Sequence, residues 1–307
     1  MHNKTILITG GTSGIGRETA IGLAKLGARV IVTGRDPHRG ERAIKIIQQE
    51  SHNHNIHLLL ADLSTQAEVR GLAEKFQASF DRLDVLINNL GLLEGQLGMT
   101  SEGVEADFAV NVVTPFLLTH LLLDSLKKSD FARVINVTGG MPGAQLDLDN
   151  LQAEKGFQAL KHYTNTKVAM MAMSLTFAET LEGTDIVLNV CYPGGASTNM
   201  TRAMTPSYLP WFMRPFFPLF KLMARDDAGK SAAKAARSSI YLASSAKIAG
   251  VTGKYFNTNS KQMDWPKDIL DPNAQRVVWH LCEDLTGMEH DSTFVPSKSN
   301  VSVARAI

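Results

Sequence analysis

The sequence predicts an α/β fold: a single domain built on one doubly wound parallel sheet, with helices on both faces. Three observations predict it. Short runs rich in branched apolar residues recur along the chain, longer segments with helical periodicity separate them, and no linker, repeat or low-complexity stretch interrupts the alternation. Strands covered on both faces read as near-continuous apolar runs, as these do. The 307 residues suit one such domain with extensions. The domain is expected over residues 1–288, with a flexible tail over 289–307.

The elements follow in order. Strand Thr5–Thr9 leads through a glycine-rich turn into helix Arg17–Leu26 and then strand Arg29–Thr33. Helix Glu41–Glu50, strand His57–Ala61, helix Gln66–Phe80 and strand Val85–Asn88 continue the pattern. The stretch "FLLTHLLLDSL" (116–126) reads most simply as a core helix, and strands Val134–Val137 and Ile186–Cys191 complete a set of six. Residues 203–225 break the rhythm. With Trp211, Phe212, Phe216, Phe217 and Phe220 they are too apolar for a bare loop. The reading is a lid over an apolar substrate, with a membrane-surface contact or a homodimer patch as alternatives. The tail "EHDSTFVPSKSNVSVARAI" has no periodicity.

Composition excludes some functions. A formal net charge of +1, with acids and bases interspersed, offers no electrostatic footprint for nucleic acid. Cys191 and Cys282 match no metal or redox spacing and read as free thiols in a reducing compartment. "MHNKTILITGG" moves straight into a strand without signal-peptide architecture, and the apolar stretches fall short of a spanning helix, so a cytoplasmic, soluble protein is expected. His52, His54 and His57 in "SHNHNIH" read as a polar connection rather than a metal site, and no metal is expected.

The first turn carries the first functional signal. Gly10, Gly14 and Gly16 fall between strand and helix, where glycine permits positive φ and lets a pyrophosphate approach the backbone. The helix N-terminus beyond supplies free N–H groups and the positive end of a dipole. Ile15, Leu23 and Leu26, with Ala20 and Ala24, can pack that helix on the sheet. Strand, turn, helix and second strand stand in register, which points to a dinucleotide rather than a structural turn. The second strand ends in "VTGRD". The planar cation of Arg35 suits a 2′-phosphate, so NADP(H) is favoured, while Asp36 keeps NAD(H) as the alternative.

With these residues in place, the chain resembles the short-chain dehydrogenase/reductase family, whose fold is Rossmann-type. The spacing Thr9-Gly10-x-x-x-Gly14-x-Gly16 resembles the family's cofactor turn, which implies contacts from Gly10, Thr12, Ser13, Gly14, Ile15 and Gly16. "ADL" (61–63) looks like the adenine-contacting segment, with Asp62 and Leu63. "NNLG" (88–91) resembles the NNAG motif, implying roles for Asn89 and Gly91. Asn111 falls where the family has a helical catalytic Asn. Tyr163 and Lys167 in "YTNTK" fit its YxxxK pattern. "YPGGAST" (192–198) resembles the segment that closes over nicotinamide, implying Pro193, Gly194 and Thr198. The motifs occur in family order from about residue 4 to 257. Within the family, "DLDNLQAEKGFQALKHYTNTK" and "GKYFNTNS" look most like the retinol dehydrogenase branch, which implies a lipophilic alcohol or carbonyl as substrate.

The chemistry follows from the pair. Tyr163 and Lys167 lie four apart on a predicted helix and share a face. A free phenol has a pKa of about 10, and a nearby ammonium is expected to lower it toward useful acid–base work. The resemblance adds that Lys167 holds the nicotinamide ribose and that Asn111 supports a proton relay. One position departs from the pattern. In "RVINVTGG" the family's catalytic Ser aligns with Gly139, and Thr138 precedes it. Successive strand side chains point to opposite faces, so Thr138 cannot simply substitute. Three readings stay open: a reductase with an atypical site, a proton-transfer catalyst such as a cyclase, isomerase or dehydratase, and a non-catalytic NADP(H) sensor.

Overall fold

The computed structural model describes residues 1–139, 143–195, 198–209, 211–218 and 228–288. Eight strands form one sheet in the order β3-β2-β1-β4-β5-β6-β7-β8. They are β1 Thr5–Ile8, β2 Arg29–Gly34, β3 Ile56–Leu60, β4 Val85–Asn88, β5 Ala132–Val137, β6 Ile186–Cys191, β7 Lys254–Phe256 and β8 Gln262–Met263. The first seven pair in parallel, and β8 closes the edge antiparallel to β7. The six expected strands are present within a residue or two. The last two are too short to carry a readable apolar pattern.

Chain order reverses direction across the sheet between β1 and β4, so the loops after those strands open a crevice at their carboxyl ends. Helices α1 Gly14–Lys25 and α2 Pro37–Ser51, with the helix Ala228–Ser244, cover one face. Helices α3 Gln66–Ser79, α5 Thr114–Leu121 and α7 Ala159–Thr180, with the helix Pro272–Thr286, cover the other. In α1 the small Ala20 and Ala24 and the larger Leu23 are buried, as expected. Leu26 instead ends the helix exposed, and Ile15 turns toward the crevice. On the opposite face Phe116, Phe177 and Trp279 meet edge-on, so "FLLTHLLLDSL" is core. His57 sits on β3 rather than in a connection, with its ring edge against Phe80.

Both cysteines are buried free thiols. Burial pushes Cys191 up to about 12 and raises Cys282 as well.

One buried carboxylate ties the start of the sheet together. Asp84 Oδ2 accepts the Thr5 N–H at 2.8 Å, while Oδ1 accepts from the Ser129 hydroxyl at 2.7 Å and the Lys4 ammonium at 2.8 Å. Burial alone would raise its pKa, but Lys4, Thr5 and Ser129 outweigh that and hold it below the usual carboxylate range. A depressed folded-state pKa stabilises the fold above the unfolded value and loses that contribution as pH falls through the folded value. Asp84→Asn is therefore expected to cost about 2 kcal/mol at neutral pH, discounted for the partial exposure of Lys4. Urea unfolding of the two proteins should show the gap closing below the ordinary carboxylate range. A gap that persists undiminished in acid would refute the electrostatic account.

Candidate active site

The crevice begins at the turn after β1. Gly10 and Gly14 take φ of +65° and +54°, a region that side chains strain to reach. Gly16 has no room for a side chain: a Cβ there would lie 2.5 Å from both Asn89 Nδ2 and the Gly10 carbonyl oxygen. Asn89 donates to the Thr9 carbonyl at 2.9 Å, and Thr9 Oγ1 accepts the N–H groups of Asn89 and Leu90 at 3.0 Å. The two loops are thereby stitched together at the sheet crossover. Ser13 stands at the N-cap of α1 without capping it through its side chain, which leaves the first amides for an anion. Thr12 packs against Gly34 at the end of β2, and Thr198 lies across the crevice from Gly14.

Arg35 is exposed after β2 and lines a surface hollow with Asp62 and Ser64. Asp36 is committed elsewhere: its carboxylate accepts the Arg39 N–H at 3.0 Å and caps α2. Leu63 is buried and offers its carbonyl to Thr114 Oγ1 at 2.9 Å.

At the far end of the crevice stand Gly91, Tyr163, Lys167, Pro193 and Gly194. Asn111 is brought there by a break in helical geometry. Residues Ala106–Phe108 (α4) run into a π-turn, Ala109–Val113, before α5. Pro115 has no N–H to offer the Asn111 carbonyl four residues earlier, so ordinary α-helical bonding lapses there. The Asn111 side chain donates to the Leu92 carbonyl at 2.8 Å and to Thr166 Oγ1 at 3.0 Å, and accepts the Leu92 N–H at 2.9 Å. It clamps the loop after β4 onto α7.

Lys167 is fully buried, with Nζ 3.5 Å from the Val137 carbonyl and 5.9 Å from the Tyr163 ring centre. A Cβ on Gly91 would lie 3.2 Å from that Nζ. Among the described residues its three donors have one long partner, which leaves two that could serve a ribose diol. Burial pulls the ammonium down to about 8. The expected lowering of the Tyr163 phenol is overturned. Burial raises it above its ordinary value, and the charge of Asp107 adds to the rise. Desolvation, which disfavours the phenolate, is the largest cause. Tyr163 therefore carries its proton at neutral pH.

Gly139 explains where the phenol sits. A Cβ at this position would be 2.6 Å from the Tyr163 hydroxyl oxygen. The tyrosine occupies ground that a side chain at 139 would claim. Thr138 lines the same crevice, buried, with its hydroxyl toward the Lys167 carbonyl at 3.4 Å.

A second wall of the crevice is apolar. Leu93, Leu160, Met200 and Met204 line it beside Tyr163. Met204, Leu209 and Phe217, from the segment expected to form a lid, pack into the same cluster. Trp211, Phe212, Met213 and Phe216 are exposed. Phe220 lies outside the described residues, as does the tail 289–307.

Sequence reasoning missed three buried titratable groups behind the tyrosine: Glu105, Asp107 and His162. Their only signal is spacing, because Asp107 precedes Asn111 by one helical turn.

Comparison with known proteins decides the family. The model for short chain dehydrogenases matches residues 4–208. The chain belongs to the short-chain dehydrogenase family. Retinol dehydrogenase 14 of Homo sapiens is 34% identical over 302 residues, covering 94% of this chain and 88% of that protein. Human retinol dehydrogenase 13 is 32% identical over 94% of this chain and 86% of its own length. Among solved structures, a putative uncharacterized protein from Mycobacterium paratuberculosis shares the fold, with a TM-score of 0.72 over 94% of this chain and 95% of that one, at 23% identity. The RhlG/NADP active-site complex of Pseudomonas aeruginosa superposes with a TM-score of 0.62 and 29% identity, covering 84% of this short-chain dehydrogenase and 95% of that chain. The family is one of oxidoreductases that use nicotinamide cofactors. The glycine cradle at Gly16 and the spare donors of Lys167 fit such a group. Among the described residues of this family member, no helix is long and apolar enough to cross a membrane.

Proposed function

We propose that this short-chain dehydrogenase is NADP(H)-dependent and interconverts a lipophilic alcohol and its carbonyl partner. The observation that carries the reading is one continuous crevice. It runs from the glycine turn to Tyr163 and Lys167 and is walled beside the tyrosine by Leu93, Leu160, Met200 and Met204. The retinol dehydrogenase relatives support an apolar substrate. The phosphate-ready cation at Arg35, with Asp36 engaged in capping, supports NADP(H) over NAD(H).

A nicotinamide cofactor, when bound, would supply the hydride for the carbonyl carbon or take it from the alcohol carbon. Tyr163 gives its phenolic proton to the oxygen in reduction, or receives one in oxidation. Lys167 would hold the ribose, and it keeps a positive charge close to the phenolate that reduction leaves behind. Asn111 fixes the loop at Leu92, so the floor beneath the nicotinamide end stays in place. Gly139 offers no hydroxyl, so the reacting oxygen relies on the Tyr163 hydroxyl as its donor.

The test is consumption of NADPH with a panel of apolar ketones and aldehydes. Sustained oxidation supports the reading. Tight NADPH binding without consumption, with product of unchanged redox level, would favour proton-transfer catalysis, the reading that Gly139 keeps alive. Arg35→Ala is expected to raise KM for NADPH about tenfold, the worth of one exposed charge-assisted contact, with little change for NADH. Equal effects on both cofactors would remove Arg35 from phosphate recognition. The exposed Trp211, Phe212, Met213 and Phe216 also support contact of the lid with a lipid surface from which such substrates enter.

A further inference from the structure

Asp107 has no part in the chemistry above, yet its surroundings are unusual for a carboxyl group. It is fully buried on α4, one turn ahead of Asn111, and α4 packs directly on α7. Oδ1 accepts the Glu94 N–H at 2.9 Å, while Oδ2 is buried with no hydrogen-bond partner among the described residues. Asn111 and the Lys167 ammonium meet around Gly91: a Cβ there would lie 3.5 Å from Asn111 Oδ1 and 3.2 Å from Nζ. The ionisable groups that bear on this interior come from five segments. They are Glu94, exposed on the loop after β4, Glu105 ahead of α4, Lys167 and Tyr163 from α7, Tyr192 after β6, and Tyr208 from the segment 203–218. Glu105 is engaged through one oxygen: Oε2 accepts the Phe108 N–H at 2.8 Å and lies 2.7 Å from His162 Nε2, while Oε1 is buried without a hydrogen-bond partner among the described residues. Asp107 is left with a spare oxygen, and the loop it holds at Glu94 meets the Lys167 ammonium three residues earlier, at Gly91.

We propose that Asp107 is a positioning residue of the proton-transfer pair, whose charge keeps the protons on Lys167 and Tyr163 and so biases the site toward carbonyl reduction. This rests on the oxidoreductase reading for its functional consequence, not for its electrostatics. Burial first, and then the charge of Glu105, push Asp107 up to about 8, close to Lys167. Neighbouring groups that titrate together release their protons as a pair. As pH rises, the carboxyl gives up its proton to solvent, and the resulting anion raises the proton affinity of both Lys167 and Tyr163. The site thus stays armed with a phenolic proton in mildly alkaline solution, where reduction consumes one proton per turnover.

The test uses lysine labelled with 13C at Cε, with the Lys167 signal assigned from its absence in Lys167→Arg. In Asp107→Asn the Lys167 titration midpoint should fall by about one pH unit. Asp107→Glu, which keeps the charge, should hold it near the wild-type value. The alkaline limb of kcat/KM for carbonyl reduction should move down with the midpoint, about tenfold in activity one unit above it. An unchanged midpoint in Asp107→Asn overturns the proposal. If that variant does not fold, a wild-type Lys167 that titrates as a single uncoupled group overturns it equally. The spectroscopic shift needs no turnover, so a chain that shifts as expected but never oxidises NADPH would count against the proposed function alone.

Discussion

Tyr163→Phe is expected to lower carbonyl-reductase turnover by about 10²- to 10⁴-fold, the usual worth of a positioned general acid. NADPH affinity should stay nearly unchanged. The loss follows from geometry: Tyr163 lines the crevice that begins at the glycine turn, with its hydroxyl 2.6 Å from the position a Cβ on Gly139 would take. Removing one oxygen leaves the ring in the same packed cluster with Leu93 and Met204. Fold and cofactor binding should therefore survive while proton delivery fails. Fluorescence titration with NADPH beside steady-state turnover separates the two. A variant that keeps full turnover would move the acid elsewhere.

The second large effect is at Gly139. A methyl group there collides with the phenol oxygen and brings no hydrogen-bond donor, so Gly139→Ala should displace Tyr163 and cut turnover. Serine introduces the same Cβ but adds a hydroxyl that can hold both the phenol and the reacting oxygen. One such donor is typically worth about 10²–10³ in turnover. Gly139→Ser should accordingly exceed Gly139→Ala by about that factor, whatever its standing against the natural glycine. Equal rates for the two variants would mean that no oxyanion forms beside residue 139, and would shift weight to the proton-transfer reading.

The parts of this molecule that depend on local patterning were legible in the sequence. Branched apolar runs located β1 to β6, and the spacing of Gly10, Gly14 and Gly16 located the crevice. What depends on three-dimensional burial was not. The ammonium of Lys167 was expected to draw the Tyr163 phenol down, but desolvation, which no one-dimensional pattern records, drives it up. Asp107 reads in sequence as an ordinary acid in the first turn of a helix. Only the packing of α4 on α7 buries it and makes it electrically visible to the site. Segment 203–218 reads in sequence as irregular, and among its described residues the short 3₁₀ turns around Pro206 and Pro215 are the reason that no periodicity is found.

Cys191 and Cys282 are sealed in the interior, with thiols that resist ionisation at any pH at which the protein would be handled. The natural surface is consequently silent toward maleimides. A single cysteine introduced at the exposed Trp211 would take a fluorophore or spin label there alone, without first stripping the native sulfurs. Whether that segment moves over the crevice thus becomes directly observable in an otherwise intact molecule.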